Sequence, residues 1–287
     1  MSKKLWFGPA GKPLSFKSSR IELVPEYLRS IGLDAFEYEA VRGVRISEAK
    51  ARALGEAARE HGIIMSLHAP YFINLASKEQ EKVEASIKRI VQSMMAAEWM
   101  GAYVVVIHTG YYKGWKDKRE ALKVAIDGYK RVLEELPPWV RTPSLGPELM
   151  GRRTAIGDLE EIVEICRELG ERCRPVVDWA HLHARYLGEH VRTVDEAVKV
   201  IEYIERELGS YAVNPLHTHF SKIEYNKGGE KEHHTLSETE YGPEWEVVCK
   251  AYVETGIKGV IISESPILEQ DAILMKKKCQ EVDPTIV

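Results

Sequence analysis

Short apolar runs and longer amphipathic stretches alternate along the whole chain, and most of the apolar runs end in a polar side chain. Residues 4–8, 35–40, 63–68, 103–108, 140–148, 174–178, 215–219 and 259–263 read as strands. Between and after them, 20–31, 47–61, 78–100, 117–136, 158–169, 193–208, 243–254 and 268–280 read as helices. The strand 103–108 is the clearest, a β-branched run of the kind buried on both faces of a parallel sheet. In 78–100, Val83, Ile87, Ile90, Val91, Met94 and Met95 recur at helical spacing, and Gly101 supplies the stop. Pro137 and Pro138 break the helix before the fifth strand, which Pro143, Gly146 and Pro147 interrupt. Thr193, three residues ahead of Glu196, predicts a capping box. The stretch between the seventh strand and 243 reads as a long polar loop.

Eight strand–helix units with no Gly/Ser linker between them predict a single-domain α/β fold, one (β/α)8 TIM barrel over residues 1–287. An open doubly wound sheet is the alternative. In a closed barrel the carboxyl ends of all strands open on one mouth, and here those ends carry the chemistry. His68, His108, Glu148, Asp178, His219 and Glu264 each close an apolar run, His181 follows Asp178 by three residues, and His233 lies in the polar loop. Imidazole nitrogen and carboxylate oxygen are the donors that divalent transition ions take when no thiolate is offered. Singly, each reads as a rim hydrogen-bonding residue or a helix cap. Together, eight polar groups in one mouth need a compensating partner, which a cation cluster supplies.

Composition narrows the picture. Hydrophobic residues at 44% and charged residues at 29% place the chain among soluble globular proteins, with no membrane-length apolar run. The chain enters its first strand at once, leaving no room for a signal peptide, so a cytoplasmic location is expected. Four cysteines without a C-x-x-C pair predict neither a thiolate zinc site nor a disulfide framework, and Cys166 and Cys173 can be bridged only with favourable geometry. A net charge of −4 excludes a protein that is basic as a whole; contact with a polyanion must use bound cations and a local Lys/Arg patch. Arg42, Arg45, Lys113, Arg152, Arg153, Lys222 and Lys227 lie in strand-to-helix loops and are the candidates for such a patch. Glu37 and Glu39, near the end of the second strand, are candidate partners for metal-bound imidazoles or, more simply, rim ion-pair residues.

Several segments resemble the endonuclease IV family of apurinic/apyrimidinic endonucleases, within the xylose-isomerase-like barrel group. They are His68-Ala69-Pro70-Tyr71-Phe72-Ile73-Asn74-Leu75, His108-Thr109-Gly110, Leu145-Gly146-Pro147-Glu148, Asp178-Trp179-Ala180-His181, His219-Phe220-Ser221, Glu232-His233-His234 and Ser263-Glu264. The resemblance implies two to three Zn2+ per chain, with Mn2+ as a substitute, and hydrolysis of the phosphodiester 5′ of an abasic site in double-stranded DNA. It implies that His68 and His108 hold one ion, that Glu148 bridges to a second completed by Asp178, His219 and Glu264, and that His181 and His233 belong to a third. Glu148 is the candidate catalytic residue, beside a bridging hydroxide. Tyr71 and Phe72 are the candidate DNA-contacting wedge, able to offset the few kcal/mol of unstacking. A monomer is expected. One departure stands out: where the family pattern has an aspartate two residues before the histidine of the third site, this chain has Lys231, which cannot ligate while protonated, and Glu230 or Glu232 could supply an oxygen only with a shift of register. A sugar isomerase or epimerase on the same barrel, with one or two divalent ions, is the alternative function, and a catalytically silent metal- or nucleic-acid-binding protein is a third.

Overall fold

The alternation of apolar runs and amphipathic stretches is realised as a parallel barrel. The computed structural model describes residues 4–286; Met1, Ser2 and Lys3, on which the expectation of no leader partly rests, lie outside the described residues. The barrel strands are β1 Leu5–Pro9, β2 Ala35–Glu39, β3 Ile64–His68, β4 Val104–Ile107, β5 Ser144–Pro147, β6 Val176–Asp178, β7 Leu216–Phe220 and β8 Gly259–Ser263. Two four-stranded parallel sheets, β1-β8-β7-β6 and β2-β3-β4-β5, make up the wall. Isolated parallel bridges join them on both sides, Ala10 to Glu37 between β1 and β2, and Leu145 to Cys173 and Glu148 to Val176 between β5 and β6. The ring is therefore closed, and the open-sheet alternative is excluded.

The proline- and glycine-interrupted stretch does form a strand. Ser144–Pro147 pairs in parallel with Val104–Ile107. Gly146 is needed there because a Cβ would sit 2.8 Å from both Val104 Cγ2 and Val105 O. Around the barrel, apolar helix faces pack on the outer side of the strands and form the main core. Inside it, Trp6, Ile64, Tyr103, Val104, Val106, Val176, Val260 and Ile262 fill the lower part.

Helix ends follow local chemistry. Ser47 caps Glu48–His61 by accepting from Lys50 N, and Gly101 ends Gln80–Met100 at φ +67. The expected box at Thr193 is only half formed: Thr193 Oγ1 accepts from Glu196 N at 3.3 Å, but the Glu196 carboxylate takes Arg192 N at 2.8 Å instead. The reciprocal box forms at Asp158 and Glu161.

Two features depart from expectation. The stretch after β7 is a hairpin, Lys222–Asn226 against Gly229–His234, where a loop was expected. The cysteines form two disulfides, Cys166–Cys173 and Cys249–Cys279. The first is local, tying the end of Leu159–Leu169 to the turn that follows it, and the second joins the last two helices. No described helix is long and apolar enough to cross a membrane.

Candidate metal centre

Strand side chains alternate between the two faces of a sheet, so residues two apart share a face. From the interior positions Ala35, Ile64, Val104, Ser144, Val176, His217 and Val260, steps of two lead to Glu39, His68, His108, Glu148, Asp178, His219 and Glu264. One parity around the ring thus delivers every expected strand-end donor to the same mouth, the carboxyl end where such barrels keep their sites. His181 reaches it from the first turn of a short helix, Trp179–Arg185, whose cap is Asp178 itself: Asp178 Oδ1 accepts from His181 N at 2.7 Å. His233 arrives from the hairpin. The mouth is a cavity of about 660 Å³, lined by Glu39, His68, Tyr71, His108, His181, Glu230, His233 and Glu264 among others.

The donor atoms fall into three overlapping groups, each within 4.8 Å: His68, His108 and Glu148; Glu148, Asp178, His219 and Glu264; His181, His233 and Glu264. Glu148 is fully buried at their centre. Its Oε2 lies 2.8 Å from His108 Nε2 and 3.3 Å from His68 Nε2, and its Oε1 lies 3.2 Å from His219 Nδ1. One carboxylate therefore faces both the first and the second group.

Backbone and side-chain partners fix which ring nitrogen each imidazole presents. The Ala69 carbonyl pairs with His68 Nδ1 at 2.8 Å and the Leu149 carbonyl with His181 Nδ1 at 3.0 Å, leaving Nε2 of each for the cavity. Ser221 Oγ holds His233 Nδ1 at 2.6 Å. His219 is reversed: its Nε2 lies 2.8 Å from Glu37 Oε1, and Nδ1 faces the cavity carboxylates. Glu37 also takes His217 Nε2 at 2.9 Å and the Ser66 hydroxyl at 2.7 Å, so a buried carboxylate braces the ring from beneath. Of the two readings for Glu37, that of an imidazole partner is the one the geometry bears out.

Electrostatics describe a site short of positive charge. Burial would depress His68, yet Glu39 and Glu148 hold its ring protonated and raise it to about 10. His181 and His219 are likewise raised, against burial, by Asp178 and by Glu37 respectively. Burial lifts Glu39 to about 8 and Asp178 to about 6. For Glu264 burial is outweighed by His219, and it falls to about 2. Asp178 Oδ2, Glu39 Oε1 and Glu230 Oε2 are buried without a hydrogen-bond partner. Orphaned oxygens beside inward-facing imidazole nitrogens fit divalent cations in both donor type and charge.

The rim is mixed. Tyr71 and Phe72 project from the loop after β3 at 52% and 55% exposure, and Tyr71 stands 6.4 Å from the His108 ring. Among the candidate phosphate contacts, Arg152 lines the mouth. Lys222 does not reach it: the side chain is buried and paired with Glu244 at 2.9 Å, a structural contact of the hairpin. Sequence reasoning missed His217 and Arg185. Buried Arg185 donates to the carbonyls of Met150, Arg152 and Ala155, pinning the loop after β5. The signal for His217 was its parity with His219; nothing local marked Arg185.

The family described as xylose isomerase-like TIM barrel matches residues 25–278. An uncharacterized protein of Methanocaldococcus jannaschii is 36% identical over 278 residues, 97% of this chain and 98% of its own. The probable endonuclease 4 of Aquifex aeolicus is 29% identical over 172 residues, 58% of each chain. Among solved structures, endonuclease IV from Thermus thermophilus superposes with a TM-score of 0.72 at 19% identity, covering 97% of this chain and 99% of that one. A D-tagatose 3-epimerase-like protein superposes with a TM-score of 0.70 at 21% identity, covering 99% and 98%. At these identities both structures speak for the fold alone.

Proposed function

Because this chain belongs to the xylose isomerase-like TIM-barrel family, we propose that it is a zinc-dependent apurinic/apyrimidinic endonuclease, a hydrolase of DNA repair that cuts the phosphodiester 5′ of an abasic site. The observation that carries the reading is the nitrogen-rich donor set. Five imidazoles, His68, His108, His181, His219 and His233, lie in three donor groups around one mouth. The group that could serve a single ion, Glu148, Asp178, His219 and Glu264, uses only one of the five.

His68, His108 and Glu148 would hold one ion, Glu148, Asp178, His219 and Glu264 a second, and His181 and His233 would take part in a third; Zn2+ suits the set and Mn2+ can substitute. Bound there, zinc would supply Lewis acidity to activate water at neutral pH and positive charge against the phosphate oxygens. Glu148 fixes the spacing of the first two groups, since its two oxygens face one each. Glu37 fixes the His219 ring. The hydrolysis forms a bond from water oxygen to phosphorus and breaks the phosphorus to O3′ bond, leaving a 3′-hydroxyl. Tyr71 and Phe72, exposed at the rim, supply aromatic faces that compensate unstacking around an extruded abasic nucleotide. The protein works as a cytoplasmic monomer, with residues 1–287 as one barrel.

An epimerase reading draws on one observation: Glu148, Asp178, His219 and Glu264 form a carboxylate-rich group complete enough for a single ion. Incubation of the metal-loaded protein with a duplex carrying a tetrahydrofuran abasic analogue decides between them. Incision immediately 5′ of the lesion is expected. No incision, together with turnover of ketoses, transfers the site to the epimerase reading.

A further inference from the structure

In an unbroken strand Lys231 and His233 would share a face, and a lysine ammonium cannot ligate a cation. The hairpin is not unbroken. Its register runs Ile223 to His233, Glu224 to Glu232, and then Tyr225 to Glu230, so Lys231 is the extra residue of a β-bulge. Across the bulge the alternation shifts by one, and Glu230 takes the face that His233 occupies. Side chains follow this. Lys231 Nζ turns outward onto both oxygens of Glu224, at 2.7 and 2.8 Å. Glu230 turns into the mouth, with Oε2 3.2 Å from His181 Nε2 and Oε1 3.2 Å from Arg152 Nε. That Oε2 is buried and accepts no hydrogen bond.

The hairpin tip is fastened so that Glu230 has one place to go. Arg153 N donates to Gly228 O at 3.0 Å, and Glu230 N to Gly151 O at 3.3 Å. Gly229, at φ +100, has no room for a Cβ, which would fall 2.0 Å from Gly151 O; a Cβ on Gly151 would fall 2.5 Å from Glu230 Oε2. Close approach of two glycines thus seats the carboxylate against His181.

We infer that Glu230, through the oxygen that lies 3.2 Å from His181 Nε2, adds a second carboxylate to the His181, His233 and Glu264 group that holds the third cation, and that the bulge at Lys231 restores a donor the linear pattern lacks. The inference rests on the multi-metal reading of the mouth and adds a ligand that reading did not contain. It also explains how a lysine is tolerated beside a cation site: the bulge carries its charge to the outer face. The competing account is that Glu230 serves only as counter-ion to exposed Arg152.

The test is metal stoichiometry, by plasma mass spectrometry on dialysed protein, with chelator competition for the weakest ion. Wild type is expected to hold three zinc ions and E230Q two. Partners of ligands alone are worth about 10–100-fold in affinity, so loss of the ligand itself should exceed about 100-fold for that ion. R152Q and K231A should keep all three. Glu230→Asp retains the charge on a shorter arm and should weaken the third ion without abolishing it, which keeps the test valid if E230Q folds poorly. Cobalt substitution gives a second readout, because loss of one ligand set alters the visible absorption of one ion in three. Equal loss in E230Q and R152Q, or unchanged binding in E230Q, overturns the inference. A wild type with only two ions overturns it too while leaving the nuclease reading intact; a wild type with none overturns both.

Discussion

Replacing Glu37 by Gln separates bracing of the site from simple core packing. The carboxylate is fully buried, accepts from Ser66 and His217, and lies 2.8 Å from His219 Nε2. His219 lowers its pKa well below the ordinary range even though burial pushes it up. An amide of the same shape can accept from one imidazole but must present its NH2 to another polar hydrogen. Removing one member of a buried charged network costs about 3–5 kcal/mol; an isosteric amide that keeps part of the network belongs at about 3. For a chain of this size that is a fall in Tm of about 6–12 °C, at about 2–4 °C per kcal/mol. If Glu37 also orients His219, affinity for the ion in the Glu148, Asp178, His219 and Glu264 group should fall by about 10–100-fold. The assays are calorimetry in the presence of chelator and zinc competition against a chromophoric chelator. Ser66→Ala is the control: it removes one hydrogen bond to the same carboxylate, worth about 1 kcal/mol, and should leave metal affinity alone. A lowered Tm with zinc affinity within twofold of wild type would reduce Glu37 to a core ion-pair residue.

Glu148→Gln should retain the circular dichroism spectrum of the wild type and lose incision by at least about 10³-fold, about 4 kcal/mol in the barrier; undiminished incision would show that the bridging residue lies elsewhere. Tyr71→Ala should weaken binding to abasic duplex by about tenfold, about 1.4 kcal/mol, with unchanged metal content, whereas equal loss of both would make the ring a packing element. In the metal-free protein His68 is raised from 6.5 to about 10, burial being outweighed by its carboxylate neighbours. The stability this group contributes is complete below the unfolded value and lost as pH rises through 10. Metal needs the neutral ring, so zinc affinity should rise with pH across that window and binding at neutral pH should release protons. Titration calorimetry in buffers of different ionisation heat measures that release, and its absence would contradict the assigned protonation.

Much of the site was legible because period-two alternation on a closed ring leaves little freedom. Once Val104 and Val106 face inward, His108 must follow them, and the same step places His68, Glu148, His219 and Glu264. Asp178 and His181 were legible for a second reason, since a carboxylate capping the next helix brings the residue three positions on to the same side. The hairpin was not. Its strands, Lys222–Asn226 and Gly229–His234, are polar or charged at most positions and offer no apolar alternation. The turn signal Asn226-Lys227-Gly228-Gly229 was present, yet the bulge at Lys231 depends on the tertiary fit of Gly229 against Gly151. The Cys249–Cys279 disulfide was hidden for a similar reason: its cysteines lie on neighbouring helices, and spacing in the chain does not encode helix adjacency. His217 read as one more apolar-run residue because its partners, Glu37 and Tyr103, come from opposite parts of the sequence.

Diffraction data collected on either side of the zinc absorption edge, from crystals grown without added chelator, address the mouth itself. Anomalous peaks are expected between His68, His108 and Glu148, and again among Glu148, Asp178, His219 and Glu264, with Glu148 shared. A mouth with a single peak at the carboxylate-rich group, or with none after zinc is supplied, would contradict a multi-cation centre and the nuclease chemistry that depends on it.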